Sequence, residues 1–307
     1  MDRVRDLLLD ALASAVVGRT TVETPAIERV AQTLGGPGES SVIGGGRMSL
    51  AGATFLNGYQ ITAATVCDVH RPLLCHVTPV VVPPALAIAE QNEISGRDFL
   101  VALTAGFETT IRIGLALGYP QFRARGWHSP GVIGPFGAAL AIASLLRFDP
   151  ARTRNALGLA GSQSAGTFAG LGTSQVKFHQ ARGALSGLLA GLVAAEGLDA
   201  SKRILTATDG GLLATYSDGG DPDQLTDQLG QVWQLMGISL RRWPAASSLQ
   251  AVIEASLSVV TEPGFSATEI ERVSVSLPDA SFRLNGGRDW HDQLGAFQSA
   301  AYVAGVT

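Results

Sequence analysis

The chain has 307 residues, enough for one large core or two smaller ones, and 46% of them are hydrophobic against 16% charged. A net charge of −4 and the lack of any basic run argue against a nucleic-acid partner or an anionic membrane surface. Two cysteines, Cys67 and Cys75, are too few for a disulfide framework and fit a reduced, cytoplasmic setting, and with Asp2, Arg3, Arg5 and Asp10 in the first turns no secretory leader is expected.

Val4, Leu7, Leu8, Ala11 and Ala15 fall on one helical face, and Gly18 stands where a C′ glycine would stop that helix. A second helix is expected over residues 27–34, then an extended Gly/Ser-rich piece over 39–47, then helix again over 49–60. Asp68, His70 and His76 crowd a short loop that runs into an apolar helix, 83–90, opened by Pro83 and Pro84. Further helices are expected over 96–117, 136–146, 150–164, 183–196 and 247–260. The apolar run 129–146 approaches membrane-span length, but Pro130, Pro135 and several glycines near its start favour a buried core helix, and no membrane partner is expected. With 37 glycines, abundant alanine and 6% aromatic residues, the fold class expected is mainly α, built from closely packed helices. After Thr261 the pattern changes: residues 270–277 alternate like a strand ended by Pro278, and 291–306 reads as a helix. The domains expected are therefore an all-helical 1–260 and a partial α+β piece, 261–307, too small to stand alone. Either the sequence is a fragment, or a partner covers the surface left exposed.

Several segments carry a family pattern in order. Asn57-Gly58, Asp68, His76, the run Pro83-Pro84-Ala85-Leu86-Ala87 and Glu90 form the first, and GRDFLVALTAGFETTIRI (96–113) the second. WHSPGVIGPFGAALAIASLL (127–146), LAGSQSAG (159–166), the segment 179–197 and RRWPAASSLQAVIEA (241–255) complete it. Together they resemble the MmgE/PrpD family of 2-methylcitrate dehydratases, cis-aconitate decarboxylases and iminodisuccinate epimerases, over nearly the whole chain. The resemblance implies a multi-helical domain followed by a smaller α+β domain, a homodimer, and chemistry on a small di- or tricarboxylate without metal or cofactor.

Dehydration or decarboxylation of such a substrate needs a base, an acid, and cationic or hydrogen-bonding groups for the carboxylates. Histidine suits the first two roles, and four of the five histidines, His70, His76, His128 and His179, lie in the family-like segments. By resemblance His76 is the active-site histidine after the acidic motif, and His128 sits at a helix start whose N–H groups would hold a carboxylate. The competing readings are a satisfied core histidine and a plain cap. Asp68 matches the second acidic position of the family and Val66 stands at the first, so Asp68 is either catalytic or structural. His70 is a neighbouring substrate-contacting group or a loop residue.

Val176 occupies the family's catalytic lysine position, and Lys177 would serve if the helix start slips by one residue. Arg241 supplies a substrate-binding cation or is a surface arginine. Gln250 stands where the family has a histidine; it can hydrogen-bond a carboxylate but not shuttle a proton. Arg112 reads as half of a structural ion pair. Two cysteines are too few for an iron–sulfur cluster, and Cys67-x2-His70-x4-Cys75-His76 matches no common zinc spacing. Gly44-Gly45-Gly46 and Gly170-Leu171-Gly172 lack the lysine and the strand–turn–helix order of a phosphate loop and read as turns. The function expected is a metal-independent lyase; the alternatives are an epimerase working by proton transfer at carbon, and a degenerate scaffold without turnover.

Overall fold

The computed structural model describes residues 1–287 and 289–307. It is 61% helix and 4% strand, the mainly α class expected from the composition. Two compact units emerge: Met1–Gly170 with Gln175–Leu240, and Leu171–Ser174 with Arg241–Thr307.

The first unit opens with α1 (Asp2–Gly18), α2 (Thr24–Thr33) and a minimal antiparallel hairpin of β1 (Ser40–Ser41) and β2 (Arg47–Met48), Ser40 opposite Met48. α3 (Leu50–Ala63) starts at Ser49, whose side chain accepts the Gly52 N–H at 3.1 Å. After β3 (Val69–His70) come α4 (Thr78–Gln91), α5 (Gly96–Leu117), α6 (Tyr119–Ala124), α7 (Ser129–Leu145), α8 (Pro150–Gly161), α9 (Gln175–Ala195) and α10 (Leu212–Tyr216). β4 (Ile238–Ser239) returns to pair antiparallel with β3.

α7 is apolar on every side and is buried from Ser129 to Ala139 without a break. It packs against α4, α5, α8 and α9. Such a helix can be enclosed only if its neighbours come close, and the small residues permit this. A Cβ added at Gly106 of α5 would lie 2.7 Å from the Gly137 carbonyl oxygen of α7, and one at Gly137 would overlap both the Thr110 hydroxyl and the Gly106 carbonyl. α5 is long and apolar enough to cross a membrane, and 67% of its most apolar stretch is buried inside this unit.

Several boundaries differ from those expected. Gly18 does not stop α1; it is the last helical residue, and a side chain there would collide with the Gln60 carbonyl of α3. α4 begins at Thr78, so Pro83 and Pro84 lie inside it rather than opening it. Its start is fixed by the distant Asp68 carboxylate, which no local pattern reveals. α7 begins at Ser129 because Pro130 occupies the first turn, where a missing N–H costs nothing. α9 begins at Gln175, a full two turns before the expected 183.

The second unit contains α11 (Gln250–Val260), α12 (Asp279–Asn285), α13 (Gln293–Ala296) and α14 (Ala300–Val306) around a small core that includes Leu249, Val252, Ile253, Ala300 and Val303. The expected strand 270–277 is not formed. Those residues are almost all exposed and find no ladder partner among the described residues, and alternation alone does not make a strand. The expected helix 291–306 is instead α13 and α14, separated at Ser299, whose hydroxyl caps α14 by accepting the Tyr302 N–H.

Gly137→Ala should destabilise the protein by at least about 1–3 kcal/mol, since both atoms it meets belong to a packed helix. Gly46→Ala, with open space around the added methyl, should stay within about 0.5 kcal/mol. Urea denaturation midpoints of the two variants check this, and equal midpoints would contradict it.

Candidate active site

Between α3 and α4 the chain makes a closed loop. Arg71–Leu73 form one 3-10 turn, Leu74 adopts a left-handed conformation (φ 42°), and His70 and Cys75 then exchange backbone hydrogen bonds of 2.8 and 3.3 Å. The turn returns His76 to Asp68, with its Nδ1 2.6 Å from the Asp68 carbonyl oxygen. A carbonyl can only accept, so Nδ1 carries the hydrogen and Nε2 holds the ring's basic lone pair. The Asp68 carboxylate, fully buried, accepts the Val77 N–H at 2.9 Å, the Thr78 N–H at 3.2 Å and the Thr78 hydroxyl. It is a negative charge at the N-terminus of α4, where the free N–H groups and the helix dipole favour one. Burial, reinforced by the Asp68 charge, pushes the Cys75 thiol well up and keeps it protonated.

Ser129 at the start of α7 donates its hydroxyl to the Leu73 carbonyl at 2.8 Å, which ties this loop to the residue after His128. His128 is the N-cap residue of α7 and is buried; its own N–H goes to the Gly166 carbonyl at 3.0 Å. Its Nδ1 lies 3.0 Å from Nδ1 of His179, on α9. Phe168 stands edge-on to the His128 ring at 5.6 Å, and the Arg123 guanidinium sits 3.6 Å over the Phe168 ring. Burial holds His128 well below the ordinary imidazole range, and the repulsion it would meet from His179 and His76 in their protonated forms and from Arg123 adds to it. His179 is lowered too, by burial and then by Arg182. At neutral pH both rings are uncharged and able to accept a proton.

The structure thus gathers His76, Asp68 and His128 around the starts of α4 and α7. Lys177 is buried in the first turn of α9, and its ammonium donates to the Ala63 carbonyl at the end of α3. Two residues before His179, it points to the opposite side of that helix. His70 is 2% exposed, lies in the β3–β4 ladder with Gly237 against its Nε2 side, and has no hydrogen-bond partner for Nδ1.

Arg241 and Gln250 belong to the second unit. There the Gln250 amide accepts the N–H groups of Arg242 and Trp243 and donates to the Trp243 and Ala245 carbonyls, so it staples the segment ahead of α11. Arg112 does make the expected ion pair: its Nε lies 2.8 Å from Glu108, and its remaining donors reach the Gln224, Asp227 and Val232 carbonyls. Among the described residues no three His, Cys, Asp or Glu side chains are placed to share a metal ion. The sequence reading assigned no role to His179, Arg123 or Arg182. His179 and Arg182, three apart on α9, are legible as one helix face, whereas Arg123 carries no sequence signal.

The first unit thus brings His128 and His179 together at a buried helix start. The comparisons with known proteins agree on the lineage. Residues 1–225 match the MmgE/PrpD N-terminal domain. The cis-aconitate decarboxylase-like protein oryM of Aspergillus oryzae is 32% identical over 99% of this chain and 68% of its own length. The cis-aconitate decarboxylase of Aspergillus terreus is 30% identical over 83% of this chain and 55% of its own, and that of Homo sapiens 27% identical over 92% and 61%. The chain belongs to the MmgE/PrpD family, and it spans between about half and two thirds of the length of these relatives.

Burial lowers His70 from 6.5 to about 4. Its folded form binds fewer protons than the unfolded chain between those values, so its stability contribution is complete above pH 6.5 and is lost as the pH falls toward 4. By pH 5 the loss from this residue is about 2 kcal/mol. His70→Leu should therefore remove about that much of the difference in unfolding free energy between pH 7.5 and 5, read by urea titration. An unchanged difference would refute the assignment.

Proposed function

We propose that this chain provides the acid–base groups of a lyase that decarboxylates or dehydrates a small di- or tricarboxylate, with cis-aconitate the first substrate to test. The observation that carries this is the pair of His128 and His179, both lowered by burial, with His76, Arg123 and Arg182 beside them. A substrate carboxylate among these cations would offset their mutual repulsion and let an imidazole take up a proton on binding. That proton is what the reaction then needs, either at carbon after loss of carbon dioxide or on a departing hydroxyl. The names of the curated relatives support decarboxylation first, and the family supports a carboxylate substrate.

A second reading, proton exchange at carbon without elimination, draws on the engagement of the other candidates. Asp68 caps α4 and Lys177 bonds the end of α3, which leaves the imidazoles as the groups placed to exchange a proton with a substrate. Incubation with cis-aconitate, 2-methylcitrate and iminodisuccinate in deuterated water separates the two. Loss of carbon dioxide or water supports the lyase, and deuterium incorporation alone supports the exchange reaction. No change in any of the three would count against both. Where turnover is found, His76→Ala and His128→Ala should each lower kcat by roughly two to four orders of magnitude. Two fully active histidine variants would remove the proposed site.

A further inference from the structure

We infer that His179 is a positioning residue for His128: the two rings meet Nδ1 to Nδ1, hold one hydrogen between them, and so fix each other's tautomer. The inference rests on the acid–base reading of His128 and extends it to a residue that touches no substrate in that reading. The separation is 3.0 Å, with the ring planes tilted by 49°. Two N–H groups cannot face each other at that distance without their hydrogens colliding, and two lone pairs repel. One hydrogen satisfies both nitrogens. It follows that one ring is Nδ1–H with a basic Nε2, and the other is Nε2–H with its Nδ1 accepting.

The surroundings are built to keep this contact. Gly166 (φ 133°) accepts the His128 N–H, and a Cβ on it would stand 3.3 Å from Cγ and Nδ1 of His179, so one glycine places both rings. Arg182, three residues beyond His179 on α9, fixes that segment by donating to the Gln163 carbonyl at 2.8 Å, the Ala165 carbonyl at 2.8 Å, the Gly131 carbonyl at 2.7 Å and the Ser186 hydroxyl at 3.0 Å. The charged and titratable groups facing the pair are His76 and Arg123 on the His128 side, and Arg182 with Tyr216 behind it on the His179 side. None of the charges among them favours a second proton on the pair, so it stays neutral until an anion arrives.

The pair can then relay a proton without any net charge left behind. A proton arriving at the basic Nε2 of one ring is matched by transfer of the shared hydrogen to the other Nδ1 and release of that ring's Nε2–H. Both rings end neutral with their tautomers exchanged.

The test is the side-chain nitrogen spectrum of the 15N-histidine-labelled protein between pH 8 and 5, in the wild type and in His179→Leu, His179→Asn and Gly166→Ala. The wild type should show one Nδ1–H and one Nε2–H ring in the pair. His179→Leu should leave His128 as a mixture of tautomers titrating at higher pH, and His179→Asn, whose amide can occupy the place of Nδ1, should restore a single tautomer. Gly166→Ala should loosen the contact with both histidines still present. A His128 tautomer and titration unchanged in both His179→Leu and Gly166→Ala would overturn the inference, and the spectra decide it even if no carboxylate is turned over. Where turnover is found, His179→Leu should lower kcat roughly tenfold with KM little changed, with partial recovery in His179→Asn.

Discussion

Pro135 has no N–H, so the Gly131 carbonyl one turn earlier in α7 loses its intrahelical donor. In a buried helix that acceptor must find another partner, or the fold bears the cost of an unpaired polar group. It takes two: the Arg182 guanidinium at 2.7 Å and the Ala165 N–H at 3.2 Å. Through them α7 is joined to α9 and to the segment after α8, and the Gly166 carbonyl arrives within 3.0 Å of the His128 N–H. Pro135 is thus the reason that the helix start is cross-braced. His128 and His179 keep their spacing because three elements converge on one carbonyl.

The brace also sets the electrostatics. Arg182 is partly buried and spends its donors on backbone oxygens and one hydroxyl, which leaves its charge uncompensated by any carboxylate among those partners. Beside it, a protonated His179 would place two cations together in a medium that screens them poorly. The same holds for His128 between His179, His76 and Arg123. Burial and like charge push in one direction, so the imidazoles remain neutral without any base held nearby to deprotonate them.

Much of this was legible in the sequence, and most of what was not depends on contacts with other segments of the chain. The apolar faces, Ser95 capping α5 and Asp149 capping α8 are short-range features, and the helices they define sit close to where the pattern places them. α4 and α9 began earlier than expected, α4 because its first donors are satisfied by a carboxylate ten residues upstream in sequence. The strand read at 270–277 failed for the converse reason: its alternation is local, but a strand exists only through a partner. His76 and His128 were readable from their positions in a family pattern. Their tautomers were not, because those depend on the Asp68 carbonyl and on His179, contacts made across 8 and 51 residues of chain. Arg123 was invisible, since nothing in Phe122-Arg123-Ala124 points to an aromatic ring in another segment.

Buried charge in the first unit follows a consistent rule. Glu108 and Arg112 neutralise each other at 2.8 Å and hold the 224–235 segment through backbone contacts, including the Gln234 N–H at 3.0 Å. Asp68 is matched by the donors of α4, and Lys177 by the end of α3, each charge placed at the helix terminus whose dipole suits it. Such pairings are expensive to break and carry little reactivity, because each group is already where its charge is most stable. The groups that lower His128 beyond burial, His179, His76 and Arg123, all act as cations. On the function proposed above, an anionic substrate would set its negative charge beside Arg123 and Arg182. The energy gained when a carboxylate arrives is then available to drive a proton onto an imidazole that otherwise resists it.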